Sequence, residues 1–417
     1  MNNSSNKQGW IVVLAGTGIN LALGVLYSWS VIAKKMTTSW GWSATSASMP
    51  YAVACGVFAI MMVFAGRAQD KLGPRLVASV GGALTGLGLI LASFASKGNI
   101  ALMILGFGIL AGTGIGLGYA SATPAAVKWF PPAKKGLITG IVVSGFGLAS
   151  VYIAPVTNTL LKNFGINQTF LILGIAFFVA TVGLSQFLNN PPAGYAPAGM
   201  LISSASTAAN SKKHEYDWHE MLKTPQFYLL WSMYAFAAFA GLMIIGHLAK
   251  ISAAQLPDVN LGFLLVAILA VGNASGRIIA GGVSDKLGRT HTMLLVFLFQ
   301  ALMMGVLAIS TTSILLIVSA TLIGFNYGAN LALFPAVTAD YFGTKNLGVN
   351  YGLVFTAWGV GGVFGSMVAG KIVDATGSYS MAYLIAAVLC IIASGITFII
   401  KAPNEVDIEV QAVETAN

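Results

Sequence analysis

Gly66-Arg-Ala-Gln-Asp70-Lys-Leu-Gly73-Pro-Arg75 returns later in the chain as Gly281-Gly-Val-Ser-Asp285-Lys-Leu-Gly288-Arg289, at an offset of 215 residues (281 − 66). Alone, such a word is only a charged turn: its glycines admit a tight backbone and its charges stay in water. Its recurrence carries the information. Pro124-Ala-Ala126 with Trp129-Phe130 returns as Pro335-Ala-Val337 with Tyr341-Phe342, and Gly140 returns as Gly352, at offsets of 211 to 212. The chain is therefore read as one design used twice, with the acid and base of each word (Asp70 and Arg75, Asp285 and Arg289) as candidate gating-loop residues.

The stretches around these words are apolar. Of 417 residues, 57% are hydrophobic and 8% charged, and the mean hydropathy is +0.82, values that exclude an ordinary soluble domain. Stretches of bilayer-crossing length, about 20 residues, occur twelve times: 10–33, 44–65, 75–96, 99–123, 136–160, 166–188, 225–249, 258–283, 290–310, 313–337, 346–371 and 378–400. This predicts an all-α membrane protein, with twelve transmembrane helices in two six-helix pseudo-symmetric halves. Its divisions are an N-terminal half at 1–188, a cytoplasmic linker at 189–224, a C-terminal half at 225–401 and a cytoplasmic tail at 402–417. The linker combines the Pro/Gly/Ala/Ser-rich stretch Pro191–Ser211 with the charged segment Lys212–Lys223. The first span is longer than a signal-peptide core and lacks a small-residue cleavage site, so it is expected to be retained.

The net charge of +9 is explained by topology and gives no reason to invoke nucleic acid. Fourteen of the 21 Lys and Arg fall on the side of the termini and linker, which the positive-inside bias makes cytoplasmic. Lys34, Lys35, Lys97, Lys162, Lys250 and Lys371 are assigned to the other side. Cys55 and Cys390 both fall inside spans and read as free core thiols, with neither a disulfide nor a metal site expected.

Arg277 is the exception, a permanent cation between Asp258 and Val283 with no acid inside that run. A charge at the middle of a membrane helix costs about 2.5–3.5 kcal/mol even on the mildest insertion scale, so such a residue usually faces a cavity on a substrate path. The structural alternative is a guanidinium capped by backbone carbonyls or Asn side chains of a neighbouring helix. Arg277 lies eight residues before Asp285, about 12 Å of helical rise, which puts it near the midplane. Its planar fork suits a carboxylate better than a lysine does. Asn273, one turn earlier on the same face, either orients the guanidinium, donates to a substrate, or bonds a neighbouring helix.

The doubled word, the twelve spans and the central linker together resemble the major facilitator superfamily over essentially the whole chain. Within it, Met221-Leu-Lys-Thr-Pro225-Gln-Phe-Tyr-Leu-Leu-Trp231 resembles the start of the seventh helix in the oxalate/formate antiporter group, and the position of Arg277 matches that group's substrate arginine. Trp129-Phe130 with Gly136-Leu137, and the segment Ala332–Gly343, are similar to the same group, which is related to the monocarboxylate transporters. The resemblance implies secondary transport of small organic anions by alternating access, with no cofactor.

Tyr27 and Tyr119 match aromatic positions with which that group walls its cavity; ordinary helix packing is the other reading of each. Asn326, Tyr327 and Asn330 put polar groups in the tenth span, and which of them lines the cavity stays open. The oxalate-transporting members carry a second cation in the eleventh helix, and alignment on Tyr351-Gly352 places Trp358 there. One arginine neutralises a monoanion one to one, whereas a dianion would keep an uncompensated buried charge at a cost of several kcal/mol. The expected substrate is therefore a small monocarboxylate, L-lactate or pyruvate, carried with protons; an oxalate/formate-type exchanger is the alternative.

Relatives among the monocarboxylate transporters have an aspartate four residues before the arginine, where Asn273 stands, and a lysine in the first helix, where span 10–33 has none. His247 and Asp258 remain as proton-coupling candidates, though a histidine near a membrane surface also reads as a solvated polar cap. Glycines at Gly145–Ala149 and Gly359–Gly365 let helices slide, or simply pack closely. The expected partners are small organic monocarboxylate anions, protons and the lipid bilayer, with the protein a monomer in a prokaryotic inner membrane. An enzyme is not expected, because no paired carboxylates, metal-ligand spacing, nucleophile and base, or phosphate loop is present. Gly112-x-Gly114-x-Gly116-x-Gly118 lies inside the fourth span and reads as helix packing.

Overall fold

Each apolar stretch is a helix because a bilayer leaves backbone polar groups no partner but their own segment. The computed structural model describes residues 2–131, 135–192, 195, 214–259, 261–343 and 346–403. Helix α1 (Lys7–Trp40) crosses first, followed by α2 (Ala44–Leu72), α3 (Pro74–Ala92) and α4 (Ile100–Val127). The 51 residues Lys135–Ser185 form two crossings, α5 (135–164) and α6 (166–185), separated at Gly165, where φ is 77°. The second half comprises α7 (Pro225–Gln255), α8 (Gly262–Leu287), α9 (Arg289–Ala308), α10 (Ser313–Phe342), α11 (Leu347–Thr376) and the shorter α12 (Ser380–Ile396). Large apolar side chains such as Leu14, Phe64, Ile314 and Phe398 stay exposed on the bundle's outside, the surface a bilayer would cover.

The repeated word has one structural meaning in both halves. Gly73 and Gly288 each take φ 85°, ending α2 and α8 with a turn that an L side chain would strain, and the next helix starts at the following residue. Ahead of α7 a short helix, Trp218–Lys223, is opened by a capping box in which Asp217 accepts from the Glu220 and His219 N–H groups and Glu220 returns the bond. Those backbone donors, Glu220's first, hold the Asp217 carboxyl below the usual carboxylate range. Linker residues 196–213 and tail residues 404–417 lie outside the described residues.

The halves meet along α2 with α11, α5 with α8, and α1 with α7. Inside the second half, glycines bring the backbones of α8 and α10 together: a Cβ on Gly276 would lie 2.0 Å from the Phe325 carbonyl oxygen, and one on Gly328 1.9 Å from that of Asn273. This seam fixes the stretch of α8 that carries Arg277. In α1 the helix tightens to a 3-10 segment at Gly24–Ser28, and a Cβ on Gly24 would lie 2.2 Å from that of Ala149 on α5.

Two expectations are corrected. Span 10–33 ends before Lys34 and Lys35, whereas α1 runs on to Trp40: a lysine's long apolar stem lets its charged head reach water from within a helix, so a charge does not end one. Lys250, assigned to a loop, is buried inside α7. The close seam also sets a prediction: Gly276→Val places methyl groups against backbone that has no room to retreat, costing about 1–3 kcal/mol or more, and is expected to lower the melting temperature and the monodisperse yield in fluorescence-detected size-exclusion chromatography, whereas Gly281→Ala, which meets nothing within 4 Å, is expected to match the parent.

Candidate functional site

Asn273 and Arg277 are one helical turn apart on α8, and the Arg277 Nε donates to Asn273 Oδ1 at 3.1 Å. Nη1 donates across the interface to the Val143 carbonyl of α5 at 2.9 Å. Gly147, one turn further along α5, keeps that approach open, since a Cβ there would stand 3.4 Å from the guanidinium carbon. The structural reading of this arginine is thus partly realised by a backbone carbonyl and an Asn. It leaves a remainder: Arg277 is 8% exposed, no Asp or Glu oxygen among the described residues lies within ion-pair distance, and neither its Nη2 nor Asn273 Nδ2 has a protein partner among them. Two buried donors, one charged, are thus left over one helical turn apart.

Around them the bundle supplies an aromatic cage. Tyr27 of α1, Phe58 of α2, Tyr119 of α4, Phe146 of α5, and Phe355 and Trp358 of α11 surround a void of about 10 Å³, space for about one water. Tyr27 lies within electrostatic reach of Arg277, and the Tyr119 hydroxyl stands close enough to the guanidinium to interact with it directly, although Nη2 makes no well-formed hydrogen bond. Trp358 Nε1 donates to the Tyr327 hydroxyl at 2.7 Å, and that hydroxyl is 2.8 Å from the Tyr27 hydroxyl. Trp358 also stacks on Phe355 at 5.0 Å and meets Phe58 edge-on at 5.1 Å.

Of the three polar residues of α10, Tyr327 is the one that reaches the cage. Asn326 and Asn330 are buried, with Asn330 Nδ2 donating to the Asn326 carbonyl, and neither borders the void. Phe58, Phe146 and Phe355 were not singled out from the sequence. No pattern separates them there from the other phenylalanines of apolar helices; only their meeting across three helices marks them.

The repeated loop words make different contacts in the two halves. Arg289 bonds Asp285 at 2.7 Å and Asp340 at 2.9 Å, and also Ser284, tying α8, α9 and α10 at the linker end of the bundle. Arg75 instead donates to Asn189 Oδ1 at 2.6 Å, and the Asp70 side chain lies outside the described residues.

The opposite end carries a latch between the halves that the sequence did not reveal. Asp374, at the end of α11, accepts the Ala44 and Thr45 N–H groups at 2.7 and 2.8 Å, capping the N-terminus of α2 from the other half. His247 of α7 sits 2.9 Å from Ser48 Oγ of α2 and 3.0 Å from the Tyr379 hydroxyl, and Lys250 Nζ donates to Ser48 at 3.2 Å. His247 is therefore no solvated cap: it is fully buried between the halves. Asp258, by contrast, is exposed in the turn between α7 and α8. Hydrogen bonds between the halves run from this latch to the Tyr27–Tyr327 and Arg277–Val143 contacts.

Comparison with known proteins adds to this geometry. The family model described as Major Facilitator Superfamily matches residues 11–272 and 245–414. The chain is 27% identical to the oxalate:formate antiporter of Oxalobacter formigenes, over 93% of this chain and 90% of that protein. It is 30% identical to monocarboxylate transporter 12 of Xenopus laevis, over 77% of this chain and 74% of that protein. Its fold matches the crystal structure of a bacterial homologue of the human lysosomal transporter Spinster with a TM-score of 0.66, covering 94% of this chain and 96% of that one at 16% identity.

Opening the end opposite the linker requires breaking the Asp374 cap. A carboxylate at a helix N-terminus contributes about 0.3–2 kcal/mol, so Asp374→Ala is expected to shift the balance of states several-fold toward opening there. Pulsed electron paramagnetic resonance between spin labels at Ser39 and Ala254 checks this, with the distance distribution expected to gain a longer component.

Proposed function

The chain belongs to the major facilitator superfamily, and we propose that it is a secondary transporter of small monocarboxylates such as L-lactate and pyruvate, moved together with a proton by alternating access. The observation that carries this reading is the pair of partnerless buried donors, Arg277 Nη2 and Asn273 Nδ2, on one turn of α8. A carboxylate is the ligand that accepts from both and neutralises the guanidinium. The relatives named for oxalate and formate and for monocarboxylates support the substrate class.

Charge favours a monoanion. Among the described residues no Lys or Arg borders the void, and the eleventh-helix position where a second cation would stand holds Trp358, pinned to Tyr327. The aromatic walls of Tyr27, Tyr119 and Phe146 suit the short apolar part of lactate or pyruvate, and the two tyrosine hydroxyls suit its oxygens. A void of about 10 Å³ is too small for either acid, so loading requires the halves to part. Once the anion bonds Arg277, closing no longer buries an unneutralised cation. A proton taken up with the anion leaves the passage electrically silent, and His247, buried at the latch, is the first candidate for linking protonation to opening; exposed Asp258 is the second. In this reading the protein is a monomer in a prokaryotic inner membrane, with both termini and the linker cytoplasmic by its charge bias.

The second reading, an oxalate/formate-type anion exchanger, uses the same site and is favoured by the 27% identity to such an antiporter over nearly the whole chain. Uptake of labelled L-lactate into proteoliposomes with an inward proton gradient separates the two. Symport gives accumulation without preloading, whereas exchange gives uptake only into vesicles preloaded with unlabelled acid. Arg277→Ala is expected to lower uptake at least about a hundredfold, the loss of one charged hydrogen bond of about 3 kcal/mol; near-normal uptake by well-expressed Arg277→Ala protein would sink the reading. Trp358→Lys adds a cation at the cage, and competition assays are expected to show its preference moving from lactate toward dicarboxylates.

A further inference from the structure

At the end opposite the linker, α1, α5, α7 and α8 enclose a cavity of about 160 Å³ that lies outside the cage. Lys34, Lys35 and Thr38 of α1 border it, with Asn158 and Lys162 of α5 and, from the second half, Phe263 of α8. No acidic residue borders it, and none of its three lysines has an ion-pair partner among the described residues. Lys34 and Lys35 are half-buried on adjacent positions. Three lysines bordering one concavity with no acid among its lining residues focus a positive potential there, which an anion relieves. The hydroxyl of Thr38 and the amide of Asn158 add hydrogen-bonding groups, and Phe263 adds an apolar face.

The cavity is separate from the Arg277 site and shares helix α8 with it. Phe263 and Arg277 stand fourteen positions apart on α8, about 21 Å of helical rise. The cavity also lies between the halves, on the same helices, α1, α5 and α8, that carry Tyr27, Val143 and Arg277. The repeat gives one further contrast: Lys35 advanced by the 215-residue offset is Lys250, but Lys250 turns inward to Ser48 in the latch. Of this equivalent pair, the first-half lysine faces the cavity and the second-half lysine faces the latch.

We propose that this vestibule is a second, low-affinity site for small carboxylates, a loading station that receives the anion before it reaches Arg277. This inference rests on the reading of the chain as a carboxylate transporter, but its test does not depend on which acid is carried, because lysines recognise the carboxylate by charge.

Saturation-transfer NMR with L-lactate, on the full chain in phosphatidylcholine nanodiscs, reads the vestibule by itself in the Arg277→Ala protein. A lactate signal that weakens with added salt is expected there. Adding Lys34→Gln, Lys35→Gln and Lys162→Gln abolishes it, while Arg at the same three positions retains it. With Arg277 intact, the triple Gln variant is expected to raise the KM for uptake about five- to tenfold at low ionic strength with kcat unchanged, the difference closing near about 0.5 M salt. The vestibule is refuted if the Arg277→Ala protein gives no lactate signal, or if the signal survives the three Gln changes. Loss of the signal in nanodiscs containing phosphatidylglycerol reassigns the lysines to a lipid phosphate and overturns the loading role, as does an unchanged KM. Failure of the central-site reading looks different: uptake then persists in Arg277→Ala while the vestibule signal is unaffected.

Discussion

The hydrogen bond from Arg277 to the Val143 carbonyl is the contact on which the arrangement of the bundle turns. It places a permanent cation of the second half against backbone of the first, at the depth where a charge is most costly. Dipoles alone share that cost: one carbonyl from α5 and one amide oxygen from α8. Dipoles satisfy hydrogen-bonding capacity but leave the net charge in place. The close glycine contacts of α8 with α10, and Gly147 on α5, are what make such an approach possible, since side chains at those positions would push the helices apart or fill the space beside the guanidinium.

Against this central charge the two ends of the bundle are built differently. At the linker end, the Arg289 network with Asp285 and Asp340 ties helices within one half, so it stiffens that half without resisting separation from the other. At the opposite end, the Asp374 cap and the contacts of Ser48 with His247 and Lys250 cross between halves. Each crossing bond has a modest net value, about 0.5–3 kcal/mol with charged partners at the upper end. Their sum is of the size that a bound ion or a proton can offset, which suits a gate that must open repeatedly.

The architecture was legible because its signals are crude ones imposed by lipid: apolar runs of crossing length, and a glycine word whose two copies prove to need the same positive φ at Gly73 and Gly288. Arg277 was legible for the same reason, as a charge where composition forbids one. The latch was not. Lys250 and His247 sit near a predicted helix end, where charge normally means contact with water, and only the neighbouring half reveals that both are covered. The phenylalanines of the cage were equally hidden, since an apolar helix gives Phe no distinguishing neighbour in sequence. Trp358 and Tyr327, noticed singly, acquire meaning as a bonded pair reaching Tyr27, a relation that spans more than 300 positions and follows no local period.

The same geometry bears on how an empty carrier behaves. With the halves together and no anion bound, Arg277 Nη2 and Asn273 Nδ2 are buried donors without protein partners, at a cost of about 1–3 kcal/mol each. A carboxylate accepting from both removes that cost without touching the Val143 bond, because it uses the nitrogens left over. In the proposed reading, a bound anion stabilises the closed state through which either direction of transport must pass, while the bare carrier crosses it at a penalty. Symport and exchange then differ in degree: a carrier whose bare crossing is slow exchanges one anion for another, and one whose latch is eased by a proton returns empty. Which regime holds is set less by Arg277 than by how readily the contacts around Asp374, Ser48 and His247 let go.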